Sequence, residues 1–394
     1  MSQNTKIPTL RFKGFTDPWE QRKLEEVLEI IKDGTHGTHK DTEEGPFLLS
    51  AKNIKNGAVV WDESDRRISY DDYEKIHSNF KLKINDVLLT IVGSIGETAI
   101  LKDNSYITFQ RSVAFLRPSA HITSEFLFFE IQTSNFQKRL NDNKSTSAQP
   151  GIYLGSLSEM PFSYPKNKEE QCRIGSYLEY VDSIITLHQR KCDQLITIKK
   201  ALLQKMFPKS GSNIPVIRFK GFTAPWKQRK VNEVCSITTG KSNTQDQVID
   251  GAYPFFIRSD IPVRSNRWLY DEEAVITIGD GNIGKVFHYI NGKFDLHQRC
   301  YKMSSFKELT GKYFFYYFSK AFYKRAMSMS AKATVDSVRL EMIADMLIQY
   351  PKSIEEQTKI EQVLSHLDSL ITLYQRKVDI LNKVKKSMLQ RMFV

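Results

Sequence analysis

Several short stretches of this chain hold residue types that could handle a phosphate, a nucleotide or a metal. "GDGNIG" (Gly279–Gly284) follows an alternating apolar run and matches GxGxxG, whose glycines let a backbone approach a pyrophosphate. That chemistry needs a helix next and an acidic residue beyond it. The following "KVFHYI" alternates like a strand, and the corresponding turn upstream, "IVGSIG", has Ile91 in place of the first glycine. A tight hairpin is the better expectation at both places, with Ser94 and Asn282 near the tips. "TGKS" (Thr239–Ser242) has the ending of a phosphate loop, but Cys235 stands where the leading glycine is required. A loop is expected there, with Lys241 and Ser242 available to a phosphate or a base. "THGTHKD" sets His36 and His39 three apart, beside Thr35 and Lys40. That spacing suits a metal, yet no cysteine or third histidine is near, and a donor-rich loop tip is the competing expectation.

Two Gln-Arg pairs, Gln110-Arg111 and Gln298-Arg299, follow the two glycine turns. Arg reads guanine and Gln reads adenine where either reaches a base edge. Their recurrence argues for phosphate positioning or structural support, because a shared residue cannot encode a difference. Two polar segments lie downstream: "NKSTSAQPG", with Ser145, Ser147 and Gln149, and "SAKATVDS", with Lys332 and Thr334. Lys52, Asn53 and Arg258 complete the candidate polar contacts. The chain has no [DN]PP[YF] tetrapeptide, no complete phosphate loop and no nuclease-like acidic cluster. Binding is therefore favoured over catalysis.

The elements that would position these residues come from a chain of 394 residues, long enough for two or more domains. At 40% hydrophobic and 26% charged it has the composition of a soluble globular protein. A formal net charge of +12 attracts a polyanion, with nucleic acid the commonest partner and a solvated basic surface the alternative. Cys172, Cys192, Cys235 and Cys300 show no CxxC spacing, as expected of reduced thiols in a cytosol. No apolar signal core or membrane-length run is present, so a cytoplasmic protein without a membrane partner is expected.

The chain repeats itself. "RFKGFTDPWEQRK" begins at Arg11 and "RFKGFTAPWKQRK" at Arg218. A longer block beginning "YPK" recurs at Tyr164 and Tyr350, sharing "EEQ", "ITL", "QRK" and a closing "MF". Within it, Ile174, Leu178, Val181, Ile185, His188, Cys192, Leu195, Leu202 and Met206 alternate steps of four and three, with Lys199 filling one gap. Ile360, Leu364, Leu367, Ile371, Tyr374, Val378, Leu381, Met388 and Met392 repeat the pattern, with Lys385 in the gap. These are heptad seams on helices of roughly 60 Å, entered just after Pro165 and Pro351. Two such helices in one chain are expected to pack on each other. A coiled coil between chains is the alternative. His188 and Tyr374 are expected to be packed, hydrogen-bonded seam residues. Between the blocks lie two unlike stretches with one layout: an alternating β run, a glycine turn, a Gln-Arg pair, then an aromatic helical segment. Those aromatic runs, around Phe128 and Phe314, are expected to be core.

The doubled "RFKGFT-x-PW", the doubled "EEQ…ITL-x-QRK…MF", the "DGTH" at Asp33–His36 and the "DVLLT-x-x-GSIG" at Asp86–Gly96 together resemble the specificity subunit of type I restriction-modification systems. The resemblance spans nearly the whole chain. It implies an α+β fold of two globular target-recognition domains separated by two long antiparallel, coiled-coil-like helices, with a pseudo-twofold internal repeat. The expected domains are 1–163 and 208–349, with spacer helices at 164–207 and 350–394. It implies sequence readout of double-stranded DNA without catalysis. It also implies two adenine-methyltransferase subunits and, for restriction, translocase-nuclease subunits. S-adenosylmethionine, ATP and magnesium would belong to those partners, with no cofactor or metal on this chain. A coiled-coil scaffold or an RNA-binding protein is the alternative. The eighteen polar residues named above, from Thr35 to Thr334, excluding the glutamines of the Gln-Arg pairs, are the candidate DNA contacts.

Overall fold

Two long helices, Lys168–Lys205 and Ile354–Met392, carry the heptad seams. Asn167 opens the first: its side-chain oxygen accepts the backbone N–H of Glu169. Ser353 opens the second, its hydroxyl accepting the N–H of Glu356. Each cap satisfies a donor that no intrahelical carbonyl can reach. Acidic residues in both first turns suit the positive end of the helix dipole. The computed structural model describes residues 7–145, 150–209, 211–330 and 337–394.

The chain divides into two compact units. Unit one is Met1–His188 with Arg376–Val394, and unit two is Gln189–Gln375. Each unit therefore holds one part of each long helix. In unit one, Ile174 and Leu178 at the start of the first helix share a core with Met392 and Phe393 at the end of the second block. In unit two, Ile360 and Leu364 share a core with Met206 and Phe207. The helices run antiparallel inside each unit, and the pairing expected within one chain is found. The lysines in the seam gaps face acids on the opposite helix. Lys385 donates to Asp182 at 2.8 Å in unit one, and Lys199 to Asp368 at 2.5 Å in unit two. Mid-seam residues such as Ile185, His188, Ile371 and Tyr374 are only half-buried.

The repeated phrase binds the repeated helix block. Arg11 clasps Glu170 of the first "EEQ" through Nε and Nη2, at 2.5 and 2.8 Å. Arg218 clasps Glu356 of the second at 2.7 and 2.9 Å. The adjacent Gln171 accepts the N–H of Thr123 and donates to the carbonyls of His121 and Pro165. Gln357 does the same with Thr310, Glu308 and Pro351. Trp19 stands edge-on to Phe393 at 6.1 Å, and Trp226 to Phe207 at 6.2 Å. The "PW" of each phrase thus meets an "MF". Phrase and helix block are two halves of one joint, which is why they recur together.

The heads share a topology. In unit one, Leu28–Asp33, Val113–Pro118, Val87–Thr90 and Thr98–Ile100 lie side by side in that order, all antiparallel. In unit two, Ser236–Thr239, Cys300–Ser304, Tyr270–Ile278 and Phe287–Leu296 take the same order, and Tyr253–Phe256 and Val263–Ser265 extend the sheet. Phe47–Leu49 runs parallel to Ile107–Phe109, as Phe255 and Phe256 run parallel to Asp295 and Leu296. Where unit two keeps one strand of 10 residues, unit one breaks between Ile100 and Ile107. The turn-forming "LKDNSY" lies in that break, with Tyr106 at φ +54°. The aromatic segments are core: Phe126, Phe129, Tyr313, Phe314 and Phe318 are fully buried. In unit one the segment forms two helices, Ser124–Ile131 and Ser134–Asp142, because the Thr133 hydroxyl accepts the Phe136 N–H and starts a new one.

Candidate functional site

In each unit four segments from the rim of the sheet are tied to one another by main-chain hydrogen bonds. The first is the loop after the opening strand. Gly34 and Gly240 occupy it because nothing larger fits. A Cβ at Gly34 would lie 2.1 Å from the Phe109 carbonyl oxygen, and one at Gly240 would lie 2.2 Å from that of Leu296. The loop thereby rests on the second segment, the Gln-Arg turn. Thr35 O accepts the N–H of Arg111 at 3.1 Å, and Ser242 O accepts that of Gln298 at 2.9 Å. The third is the glycine turn, which is a hairpin as expected: in unit two it joins antiparallel Tyr270–Ile278 and Phe287–Leu296. Gly93, Gly96, Gly281 and Gly284 all sit at positive φ. The N–H of Ile91 donates to Ser112 O, and that of Gly279 to Arg299 O. The fourth is the segment ending at Gly151 or Ser337. The N–H of Ile152 donates to Ile91 O, and that of Val338 to Gly279 O.

These bonds correct one expectation. The Gln-Arg pairs are not equivalent in place. Arg111 corresponds to Gln298, Gln110 to His297, and Ser112 to Arg299. Two sequence-equivalent pairs sit one residue out of step, so Gln and Arg occupy different positions of the turn in the two units.

The candidates are distributed as follows. In unit one Thr35, His36, His39 and Lys40 share the first loop. Its histidines are bonded locally: His36 Nε2 to Asp33 at 2.7 Å, and His39 Nε2 to the Thr35 hydroxyl at 2.9 Å, with Asp72 at 3.6 Å from Nδ1. Among the described residues no group of three or more His, Cys, Asp or Glu could hold a metal. Arg111 and Ser94 are exposed on neighbouring turns. Ser145 pairs with Gly151 through its backbone N–H and its hydroxyl. Lys52 is exposed and binds Asp65 at 2.8 Å, holding that carboxyl down at about 2. Ser147, Gln149, Lys332 and Thr334 lie outside the described residues.

Two candidates turn inward. Asn53 is 4% exposed, and its amide donates to Val60 O and Asp65. Ser242 is fully buried; its hydroxyl donates to Asp295 and accepts from Arg267. Both hold loops in shape. Lys241 beside Ser242 is exposed, as is Asn282 at the hairpin. Arg258 and Arg299 converge on Asp280, which sits at the start of the hairpin turn. Below them His297 is buried, and burial followed by the nearby Arg258 charge lowers its pKa; Nδ1 accepts the Arg299 N–H at 3.1 Å. His297 carries no motif and Asp280 fills a variable position of "GDGNIG"; only the register of the folded turns brings them to the site.

The description "type I restriction modification DNA specificity domain" matches residues 16–197 and again 224–385. The chain belongs to that family. Each match to a specificity domain begins inside a joint phrase, after Arg11 or Arg218, and takes in one loop cluster. The MjaVIII specificity subunit of Methanocaldococcus jannaschii is 27% identical over 195 residues, 48% of this chain and 45% of that protein. The EcoDI specificity subunit of Escherichia coli is 26% identical over 168 residues, 42% of this chain and 37% of that protein. These stretches span less than half of each relative. A type I restriction-modification S subunit from M. genitalium has the same fold over its length: TM-score 0.73, 15% identity, 98% of this chain and 99% of that one. Among the described residues no helix is long and apolar enough to cross a membrane.

Proposed function

We propose that this chain is the DNA sequence-recognition subunit of a type I restriction-modification complex. Each unit reads one half of a bipartite target. The carrying observation is the doubled loop cluster, which repeats its main-chain bonds but not its side chains. One backbone plan bearing two sets of donors suits two unlike half-sites, so the target is asymmetric. The matching joints, Arg11–Glu170 and Arg218–Glu356, would give two identical adenine-methyltransferase subunits equivalent places to dock, with restriction subunits joining through them. The chemistry belongs to those partners, with S-adenosylmethionine, ATP and magnesium, and this chain supplies readout in the cytoplasm. The net charge of +12 supports binding to a polyanion, since phosphate contacts dominate affinity.

The test is single-molecule methylation sequencing of DNA from cells co-expressing this chain and its methyltransferase partner. A split, asymmetric motif with one methylated adenine per half is the expected result. A well-expressed complex that marks no motif would favour a coiled-coil scaffold or an RNA binder instead.

A further inference from the structure

The two loop clusters share a backbone plan but not their charges. In unit two Asp280 Oδ2 accepts from Arg258 Nη1 at 3.1 Å and from Arg299 Nη1 at 2.7 Å. Backbone register gives the equivalents in unit one. The N–H groups of Gln110 and His297 donate to Leu49 O and Phe256 O, which aligns Arg258 with Ala51. Val92 bridges Gly151 as Asp280 bridges Ser337. Ser112 stands where Arg299 does. The triad of charges in unit two therefore replaces Ala51, Val92 and Ser112.

Four observations separate this triad from the scaffold. The contacts that the fold needs occur twice, and this one occurs once. Arg258 and Arg299 are 45% and 62% exposed, where ion pairs add little stability. Asp280 Oδ1 is buried with no hydrogen-bond partner among the described residues, which costs stability. Val92 shows that the same backbone position works without a charge. The group is thus built for something other than holding the loop.

We propose that Arg299, aimed by Asp280 and flanked by Arg258, reads a guanine in the half-site taken by unit two. Asp280 holds only Nη1 of Arg299. The Nε–Nη2 edge, with its two parallel N–H groups, faces no partner among the described residues. That edge matches O6 and N7 of guanine in the major groove. Asp280 is a positioning residue: it fixes the plane of the fork and weakens its pull toward phosphates. Unit one lacks all three charges, so its half-site is read by other groups. The inference rests on unit two being a DNA-reading module.

The experiment maps the methylated motif for the complex carrying the unaltered chain, Arg299→Lys or Asp280→Asn. Arg299→Lys keeps the charge and removes the fork. The expected result is a G·C position in one half-site whose discrimination falls about tenfold or more with Arg299→Lys, and less with Asp280→Asn, while the other half and the spacing stay fixed. A motif from the unaltered chain lacking G·C in both halves would overturn the inference. So would per-position preferences that both variants leave intact, even where total methylation drops, since that pattern marks a phosphate contact. In those cases the DNA-reading function stands. An unaltered complex that marks no motif defeats both.

Discussion

Arg218 and Glu356 meet where a lone charge is costly. The Glu356 side chain is 2% exposed, and both its oxygens are taken by one guanidinium. Arg218→Ala would leave that carboxylate buried without a counter-charge, with only the Trp226 indole N–H 3.4 Å from Oε1, and an expected loss of about 3–5 kcal/mol in a denaturant titration. Lys52→Ala, at a pair whose lysine is 66% exposed, should cost under about 1 kcal/mol. Equal losses at the two sites would contradict the roles assigned to them. Acid should weaken unit two. Burial lowers the pKa of His288 and of His297. The unfolded chain then binds the extra protons first, near pH 6.5, so stability is full above that pH and falls as pH drops through the lowered values. His297→Gln, the residue at the same place in unit one, should shrink the gap between melting temperatures at pH 7.5 and pH 5. An unchanged gap would remove His297 from the account. Donor types along the loops were legible in the sequence, but their directions were not. Ser242 lies inside and Lys241 outside because a glycine one step earlier presses the loop against two carbonyls. Asn53 is consumed by Val60 and Asp65, and no spacing rule announces that.

The long helices were the most legible elements, because a stripe with steps of four and three has few other solutions. The lysines in the gaps looked like interruptions. They are cross-helix pairs, and the partner aspartates lie off the stripe that periodicity picks out. Neither pair is isolated: Lys385 also donates to Gln132 Oε1 at 3.0 Å, and Asp368 also accepts from the Tyr316 hydroxyl at 2.8 Å, so Asp182–Lys385 is tested with Gln132 common to every variant. Lys385→Asp should destabilise unit one, and adding Asp182→Lys should restore part of the loss. A double-mutant cycle should give a coupling of about 1 kcal/mol. No coupling would make the pair incidental. The hairpin at "GDGNIG" was legible from the strand that follows it. The offset between the two Gln-Arg turns was not, because a one-residue shift leaves composition untouched while moving every side chain.

The duplication of the whole chain was visible at once, and with it the division into a recurring frame and two unlike heads. The frame is held by residues that recur: Arg11 and Arg218, Gln171 and Gln357, Trp19 and Trp226. Replacing Leu28–Ser163 with the matching head of a relative should therefore change one half-site and spare the other, as read from the methylated motif. Change in both halves would refute a modular code. What the repeats concealed is an exchange. Each "MF" closes the core around the other copy's phrase, because a stripe shows that a helix needs covering but not which end covers which.

That exchange has a consequence in time. Unit one gathers Met1–His188 and Arg376–Val394, so all of Gln189–Gln375 leaves the ribosome before Phe393 can reach Trp19 and Phe126. At about 5–20 residues per second the delay is on the order of 10–40 s. Unit two waits almost as long for Ile360 and Leu364 to reach Met206 and Phe207, but it is contiguous and has all its residues once Gln375 is made. A nascent chain thus carries a finished second head while its first still shows an aromatic slot to chaperones and proteases. A stop codon a few residues before Phe393 would make that interval permanent, and loss of the first head's core would follow from a lesion nearly two hundred codons downstream of that head.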